Sequence, residues 1–163
     1  MKKKLILSLL FIVITAGCTQ CSGTEEVTYE KKLARSGGVS YDENYITVGF
    51  IQTGKESDWR DANTRDYQNT FTKEKGYNLI YIDGNSDARR QVKAMHDLIS
   101  QGVDYIILDP IVEDGWEDIL KLAQDSKIPV LLADRGVSAD PSLYTCWIGS
   151  DFELEGKKAA EWL

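Results

Sequence analysis

Three short polar segments contain the side chains of this sequence that are best suited to bind a small molecule. Glu56-Ser57-Asp58-Trp59-Arg60, Asp109-Pro110 and Asp134-Arg135 each stand where an apolar run ends. An indole can cover the C–H face of a ring, while carboxylates accept and guanidinium groups donate hydrogen bonds. Hydrogen bonds with a charged partner are roughly twice as strong as neutral ones. Gathered around one crevice, these groups are suited to a small neutral polyol.

The alternation of apolar runs with amphipathic segments predicts how these side chains are positioned. We expect strands at 46–52, 78–83, 105–109, 128–134 and 143–149, with helices at 58–75, 87–101 and 115–126. Strands that alternate with helices pair in parallel through right-handed crossovers. The predicted fold class is therefore α/β, a doubly wound parallel sheet.

This topology also predicts where a ligand binds. In an open α/β sheet the binding crevice lies beyond the carboxyl ends of the strands, where the strand order reverses, commonly between the first and third strands. The three polar segments follow the predicted first, third and fourth strands. We therefore expect them to meet at one crevice.

Composition limits the classes of partner. The chain has 163 residues, a formal net charge of −7, 42% apolar residues and three prolines, which is typical of a single globular domain. Its positive charge is dispersed along an acidic sequence, whereas a nucleic-acid surface concentrates Lys and Arg. The sequence therefore predicts no nucleic-acid partner.

The first residues have the pattern of an export signal. Lys2-Lys3-Lys4 precedes an apolar run at 5–14, and Ala16-Gly17 supplies small residues before a cleavage point. The apolar run is short for a membrane span. Thr15-Ala16-Gly17-Cys18 resembles a bacterial lipobox, although Thr15 replaces the usual large aliphatic residue. We expect a signal peptide at 1–17 and an extracytoplasmic protein anchored by lipid at Cys18, with cleavage without lipid as the alternative.

Residues 18–44 have few apolar side chains, and Ser22-Gly23-Thr24 and Ser36-Gly37-Gly38 interrupt them. Such a segment buries too little surface to offset the entropy of ordering it. We expect a flexible tether at 18–44 that precedes a folded unit at 45–163. Cys146 falls in a predicted strand and is expected to be a buried free thiol, with a disulfide to Cys21 as the alternative.

Signatures of catalysis are missing from the sequence. It has no Gly-x-Gly-x-x-Gly after the first predicted strand, no phosphate-binding loop of the Walker type, and no Cys–His or Ser–His pair or metal cluster with plausible spacing. The same sheet topology hosts many enzymes, so fold alone does not decide the question. We expect a binding protein with no cofactor, no metal and no enzymatic activity.

Several of these motifs together resemble a known family. Val48-Gly49-Phe50-Ile51-Gln52, the segment at 56–60, Gln101-Gly102-Val103-Asp104, Asp109-Pro110, Ile128-Pro129-Val130 and Asp134-Arg135 are similar to the N-terminal lobe of ABC-transporter sugar-binding proteins of the ribose type. Gly115-Trp116-Glu117 and Ser142-Leu143-Tyr144 bring the likeness closest to the galactofuranose-binding branch. The resemblance runs from about residue 47 to the last residue.

This resemblance implies a function and a set of ligand contacts. The implied ligand is a monosaccharide, and the implied partner is the permease of an ABC transporter. Family members bind sugar between two lobes joined by a hinge, whereas this chain ends within a predicted helix. We therefore expect the second lobe to be missing and the isolated lobe to bind sugar weakly or not measurably. Carried over residue by residue, the implied contacts are Glu56, Ser57, Asp58, Trp59, Arg60, Asp134 and Arg135.

Other roles remain open for the same features. A protein of this kind could hand a sugar signal to a membrane sensor instead of feeding a permease. Trp59 could be a core aromatic, and Arg60 and Arg135 could form structural ion pairs with Asp61, Asp109 or Asp134. Asp109 is expected to orient Arg135 or the loop at Asp134, and Trp116 is expected to pack a helix. The one histidine, His96, is assigned no role.

Overall fold

The computed structural model describes residues 44–163, so the predicted signal peptide, Cys18, Cys21 and most of the predicted tether lie outside the described residues. The described residues form a parallel five-stranded sheet in the order β2-β1-β3-β4-β5. All four strand pairings are parallel. The strands are β1 (Ile46–Gln52), β2 (Tyr77–Asp83), β3 (Tyr105–Leu108), β4 (Val130–Ala133) and β5 (Cys146–Ile148). The predicted α/β class is confirmed.

Four α-helices follow strands of this sheet. They are α1 (Asp58–Thr70), α2 (Ala88–Gln101), α3 (Glu117–Asp125) and α4 (Phe152–Trp162), with short 3-10 helices at Lys73–Lys75 and Pro141–Leu143. The side chains of Ser57, Asp87 and Asp151 cap the N-termini of α1, α2 and α4 by accepting bonds from backbone N–H groups that have no partner within the helix. Gly102 ends α2 in the left-handed conformation, at φ 70°.

The first helix is shorter than the sequence predicted. A helix at 58–75 was expected, but α1 ends at Thr70 and Phe71 leaves the helical conformation at ψ 70°. The Phe71 ring packs edge-on against Tyr77, with ring centroids 5.0 Å apart. Packing of Phe71 against β2 thus ends the helix before Gly76, whose φ of 88° closes the 3-10 turn instead.

The sheet separates two apolar layers because successive strand residues point to opposite faces. On one face, Val48, Phe50 and Ile107 pack with Tyr67 and Phe71 from the region of α1. On the other face, Ile51 and its neighbours pack against α2 and α3 in the larger cluster. The Cβ that Gly49 lacks would lie 2.4 Å from Leu98 Cδ1, so glycine at this position lets α2 approach β1 closely.

The last two elements are the least covered part of the described chain. Helix α4 has no buried residue, and its Phe152, Leu154 and Trp162 are exposed. Cys146 in β5 is half-buried and not buried as predicted, because β5 lies at the edge of the sheet. No helix within residues 44–163 has the length and apolar character needed to cross a membrane.

Candidate functional site

The three polar segments meet at the carboxyl edge of the sheet, where β1 is flanked by β2 on one side and β3 on the other. Their centre is the guanidinium group of Arg60. Its Nε donates to Glu56 Oε1 at 3.1 Å and its Nη2 donates to Asp134 Oδ2 at 2.6 Å, while its Nη1 donates to Asp109 Oδ2. One cation therefore joins carboxylates that follow β1, β3 and β4. We call Glu56, Arg60, Asp109 and Asp134 the Arg60 cluster.

Arg60 lies in the first turn of α1 and is only 4% exposed. The helix begins at Ser57, whose hydroxyl accepts the Arg60 backbone N–H at 3.3 Å. Gln52, the last residue of β1, donates from Nε2 to Asn63 Oδ1 at 2.9 Å and to Thr64 Oγ1 at 3.2 Å. These contacts fix the start of α1 over the end of β1 and direct Arg60 toward the neighbouring strand ends.

Asp109 is the most deeply buried carboxylate of the cluster, at 1% exposure. Its Oδ2 accepts from Arg60, and its Oδ1 has no hydrogen-bond partner within the described part of the chain. Burial raises the pKa of Asp109 to about 7, against the opposing effect of Arg60, and Asp134 and Glu56 add to the increase through like-charge repulsion. Asp109 is thus poised to take up a proton near neutral pH.

Glu56 behaves in the opposite way. Although burial alone would raise it, the pKa of Glu56 is lowered by hydrogen bonds from its own backbone N–H, from Thr53 and from Arg60. Its Oε1 accepts the Thr53 hydroxyl at 3.0 Å. Asp109 and Glu56 contact the same guanidinium group, yet the pKa of Asp109 is raised and that of Glu56 is lowered. The two differ because Glu56 is partly exposed and accepts hydrogen bonds from more donors.

Asp134 adopts a strained backbone conformation at the end of β4, with φ 62°. Its N–H donates to Ile148 O at 2.8 Å, and the next N–H, that of Arg135, donates back to Ala133 O at 2.7 Å. A Cβ on Gly149 would lie 2.2 Å from Asp134 O, so the loop after β5 presses directly on this turn. Left-handed conformations of residues other than glycine cluster at binding sites, where the surrounding structure maintains them.

Trp59 and Arg135 lie on either side of the Arg60–Asp134 pair. The Trp59 ring stacks on the Arg60 guanidinium, with Cζ 4.8 Å from the ring centroid, and the side chain is 53% exposed. Arg135 is 43% exposed, and its Nε lies 3.8 Å from the same Asp134 oxygen that accepts from Arg60. The Arg60–Asp134 ion pair thus lies between Trp59 and Arg135, and the placement of both side chains at one crevice stays a prediction.

A cavity of about 610 Å³ opens beside Arg135. Trp147 forms part of its wall, and the Trp147 Nε1 donates to Asp134 O at 3.3 Å. Trp147 is not among the residues predicted from the sequence, although its position in β5, two residues before Gly149, was a usable signal. The other lining residues come from the loops after β3 and β4, from the segment just before β5 and from the first residue of α4. They are Pro110, Ile111, Val112, Glu113, Gly136, Val137, Ser138, Tyr144 and Phe152.

The structure decides between some of the roles that the sequence left open. Arg60 does form the ion pairs with Asp109 and Asp134, and Asp109 reaches the Asp134 loop through Arg60. Trp116 packs a helix as expected, at 1% exposure, with its Nε1 donating to Val112 O at 2.8 Å. Of the remaining predicted contacts, Ser57 is the α1 cap and Asp58 is exposed in the first turn of the helix. Within residues 44–163, no His, Cys, Asp and Glu side chains are grouped so as to hold a metal ion.

The parallel sheet and the helices that cover it form a single lobe of the doubly wound type. Residues 48–163 match the family model described as periplasmic binding protein domain, and the chain therefore belongs to this family. The resemblance expected from the sequence motifs is confirmed.

The chain is similar to several individual proteins of known ligand. The galactofuranose-binding protein YtfQ of Escherichia coli is 43% identical over 119 residues, which are 72% of this chain and 37% of the relative. A Mycobacterium smegmatis structure in complex with β-D-fucofuranose is 41% identical with a TM-score of 0.67, covering 72% of this chain and 38% of that one. The arabinose-transporter binding protein of Shewanella sp. ANA-3, bound to L-arabinofuranose, is 42% identical with a TM-score of 0.66, covering 71% and 38%. The chain thus spans less than two fifths of the length of these relatives.

Proposed function

We propose that this chain is the sugar-recognising part of an extracytoplasmic solute-binding protein that delivers a monosaccharide to the permease of an ABC transporter, and that it is not an enzyme. The observation that carries this proposal is the Arg60 cluster at the carboxyl edge of the sheet, beside the exposed indole of Trp59. The similarity to solute-binding proteins supports the same conclusion.

The proposed ligand is a sugar in the furanose form. Three relatives with more than 40% identity bind galactofuranose, β-D-fucofuranose or L-arabinofuranose. These sugars share a five-membered ring with hydroxyls on its rim and a small apolar face. A site with one exposed indole and several charged hydrogen-bonding groups suits that combination.

Each predicted contact has a proposed role. The exposed face of Trp59 stacks on the C–H face of the ring, and Arg135 donates hydrogen bonds to ring hydroxyls. Asp134 and Glu56 accept hydrogen bonds from hydroxyl groups, and their excess of negative charge over the single Arg60 favours such donors. Ser57 and Asp58 lie at the N-terminus of α1, close to the same hydroxyls. Arg60 itself holds the carboxylates in place in addition to any contact that it makes with the sugar.

Two further parts of the proposal concern residues or segments outside this site. We propose that a second lobe closes over the bound sugar by a hinge motion and that the permease binds the closed form. We also propose that residues 1–17 direct export, that lipid on Cys18 anchors the protein, and that residues 18–44 separate the anchor from the folded unit. Loss of detergent-phase partitioning in Cys18→Ser, with retained partitioning in Cys21→Ser, tests the anchor.

Saturation-transfer difference NMR tests the sugar site, because it detects the weak binding expected of one lobe. The purified chain is titrated with L-arabinose, D-fucose and D-galactose, and sorbitol serves as the acyclic control. We expect transfer to ring protons of the sugars and little transfer to sorbitol. Trp59→Ala removes this signal, whereas Trp162→Ala, which removes another exposed indole on α4, leaves it unchanged. Equal signals in the two variants would contradict the assignment of Trp59.

A further inference from the structure

A buried glutamine on α2 joins the strand ends that carry the site. Gln91 is fully buried although it lies on a helix whose other buried residues are apolar. Its Nε2 donates to Gln52 O at 3.1 Å and to Asp109 O at 2.7 Å, and its Oε1 accepts the Ile111 N–H at 3.0 Å. One side chain therefore bonds the end of β1 to the segment that follows β3.

These bonds fall where the sheet ladder ends. The last β1–β3 register pair is Ile51 with Leu108, and the last backbone bond between the two strands runs from Asp109 N–H to Ile51 O at 2.9 Å. Gly84, after β2, approaches the same point closely, since a Cβ there would lie 2.4 Å from Gln52 O and 2.9 Å from Gln91 Cγ. Gln91 thus continues the connection between β1 and the segment after β3 one step beyond the backbone ladder.

On the opposite face of the sheet, the side chain of Gln52 bonds the end of β1 to α1. Its side-chain amide bonds to Asn63 and Thr64 of α1, and its Oε1 accepts the Thr53 N–H at 3.0 Å. Gln52 is also fully buried. Because its carbonyl accepts from Gln91, the two glutamines form one connected path from α2 through the end of β1 to α1.

We propose that Gln91 and Gln52 are positioning residues for the sugar site, a pair that sets the distance between Asp109 after β3 and the Trp59–Arg60 turn of α1. The part of this inference that concerns ligand affinity rests on the proposed function. Neither glutamine has an exposed polar group, so both act on a ligand through the groups that they hold. Buried polar networks of this kind specify one arrangement when every member is satisfied.

Gln91→Met tests the inference, because Met fills a similar volume and removes all three hydrogen bonds. Leu98→Val, on the same helix and over the same strand, is the matched control that loosens packing without touching the polar path. We expect the carbon-detected NMR titration midpoint of the Asp109 carboxyl to fall below about 7 in Gln91→Met, as the loop relaxes and water reaches Oδ1, and to stay unchanged in Leu98→Val. The groups facing this carboxyl are Arg60, Asp134, Arg135, Glu56 and Tyr67.

The sugar titration supplies the second readout. We expect the initial slope of the saturation-transfer titration to fall about tenfold in Gln91→Met and to change less than about twofold in Leu98→Val, since only the first variant leaves buried partners unpaired. Equal midpoints and equal slopes in the two variants would overturn the positioning role. If the unmodified chain gives no sugar signal, the proposed function fails, and the Asp109 midpoint still decides the role of Gln91.

Gln52→Met provides an independent arm if Gln91→Met does not fold. It removes the side-chain bonds to Asn63 and Thr64 while retaining the Gln52 carbonyl that accepts from Gln91. We expect the Trp59 indole N–H resonance to shift and the sugar slope to fall, with the Trp116 indole resonance unchanged as the internal control. Unchanged Trp59 and Trp116 resonances would show that α1 is held without Gln52 and would overturn its role.

Discussion

The Arg60 cluster and the ion pairs on the outer helix surfaces use the same residue types in opposite ways. Lys93–Asp97 on α2, Lys121–Asp125 on α3 and Lys157–Glu153 on α4 are exposed pairs spaced one helical turn apart, at 2.6, 3.4 and 2.6 Å. Each has one cation for one anion. The Arg60 cluster has one cation for three carboxylates, and two of its members are almost completely buried.

The two kinds of ion pair differ in the free energy that is needed to remove their charges from water. Water solvates the surface pairs whether or not they form, so each contributes little. Burying Arg60 and Asp109 costs desolvation free energy, which their mutual attraction offsets only in part. A fold gains no stability from placing three carboxylates around one buried guanidinium group. Such an arrangement at the switch point of the sheet supports the ligand-binding role proposed above.

Arg60→Met is the change expected to have the largest effect. Without the guanidinium group, Asp109 and Asp134 lose their shared counter-charge, and we expect the free energy of unfolding to fall by about 3–5 kcal/mol. Urea denaturation at pH 7 measures this loss. Arg65→Met, an exposed arginine on the same helix, is the matched control and should change stability by less than about 0.5 kcal/mol. Similar losses in the two variants would remove the distinction between the cluster and the surface.

The pH dependence of stability tests the charge excess directly. Because the pKa of Asp109 is raised from 3.8 to about 7, the folded chain retains a proton that the unfolded chain has already released between these values. Stability therefore falls as pH rises through this window and levels off above it, with a slope of up to about 1.4 kcal/mol per pH unit. Asp109→Asn should remove this slope in urea titrations at pH 5, 6 and 7. Asp97→Asn should retain it, and a slope that persists in Asp109→Asn would exclude Asp109 as its source.

Arg135→Ala separates recognition from stability at the exposed rim of the cluster. Arg135 is half-exposed and lies 3.8 Å from Asp134, so its removal should change the free energy of unfolding by less than about 0.5 kcal/mol. We expect sugar binding to weaken by about 1–3 kcal/mol, because ring hydroxyls lose a charged donor and Asp134 loses a nearby positive charge. Parallel saturation-transfer and urea titrations compare the two effects. A stability loss with unchanged sugar transfer would place Arg135 among the structural ion pairs.

Local sequence patterns predicted most of the frame and the general location of the site. The bounds of β1 match the prediction, since the mainly apolar run at 46–52 is typical of a strand buried on both faces. The convergence of Arg60, Asp109 and Asp134 followed from topology alone, because the carboxyl ends of neighbouring parallel strands share one edge. Neither inference required knowledge of side-chain packing.

Features that depend on tertiary packing escaped prediction. Gln91 falls on the inner face of α2, where periodicity predicts an apolar residue, and only the neighbouring strand ends explain an amide there. The left-handed turn at Asp134 is set by the loop at Gly149, which is distant from β4 in sequence. The early end of α1 depends on the packing of Phe71 against Tyr77 of β2. In each case the partner lies outside the helix or strand concerned.

Lys121→Ala should have the smallest effect and sets the baseline for the comparison. The Lys121–Asp125 pair at 3.4 Å is largely exposed, and pairs of this kind on helices contribute about 0.3–0.5 kcal/mol. A double-mutant cycle with Asp125→Ala isolates the pairwise coupling from the change in helix propensity, and 0.5 M salt should reduce it further. A coupling above about 1.5 kcal/mol would mean that exposed charges on this fold are as strongly coupled as buried ones, and the contrast with the Arg60 cluster would then fail.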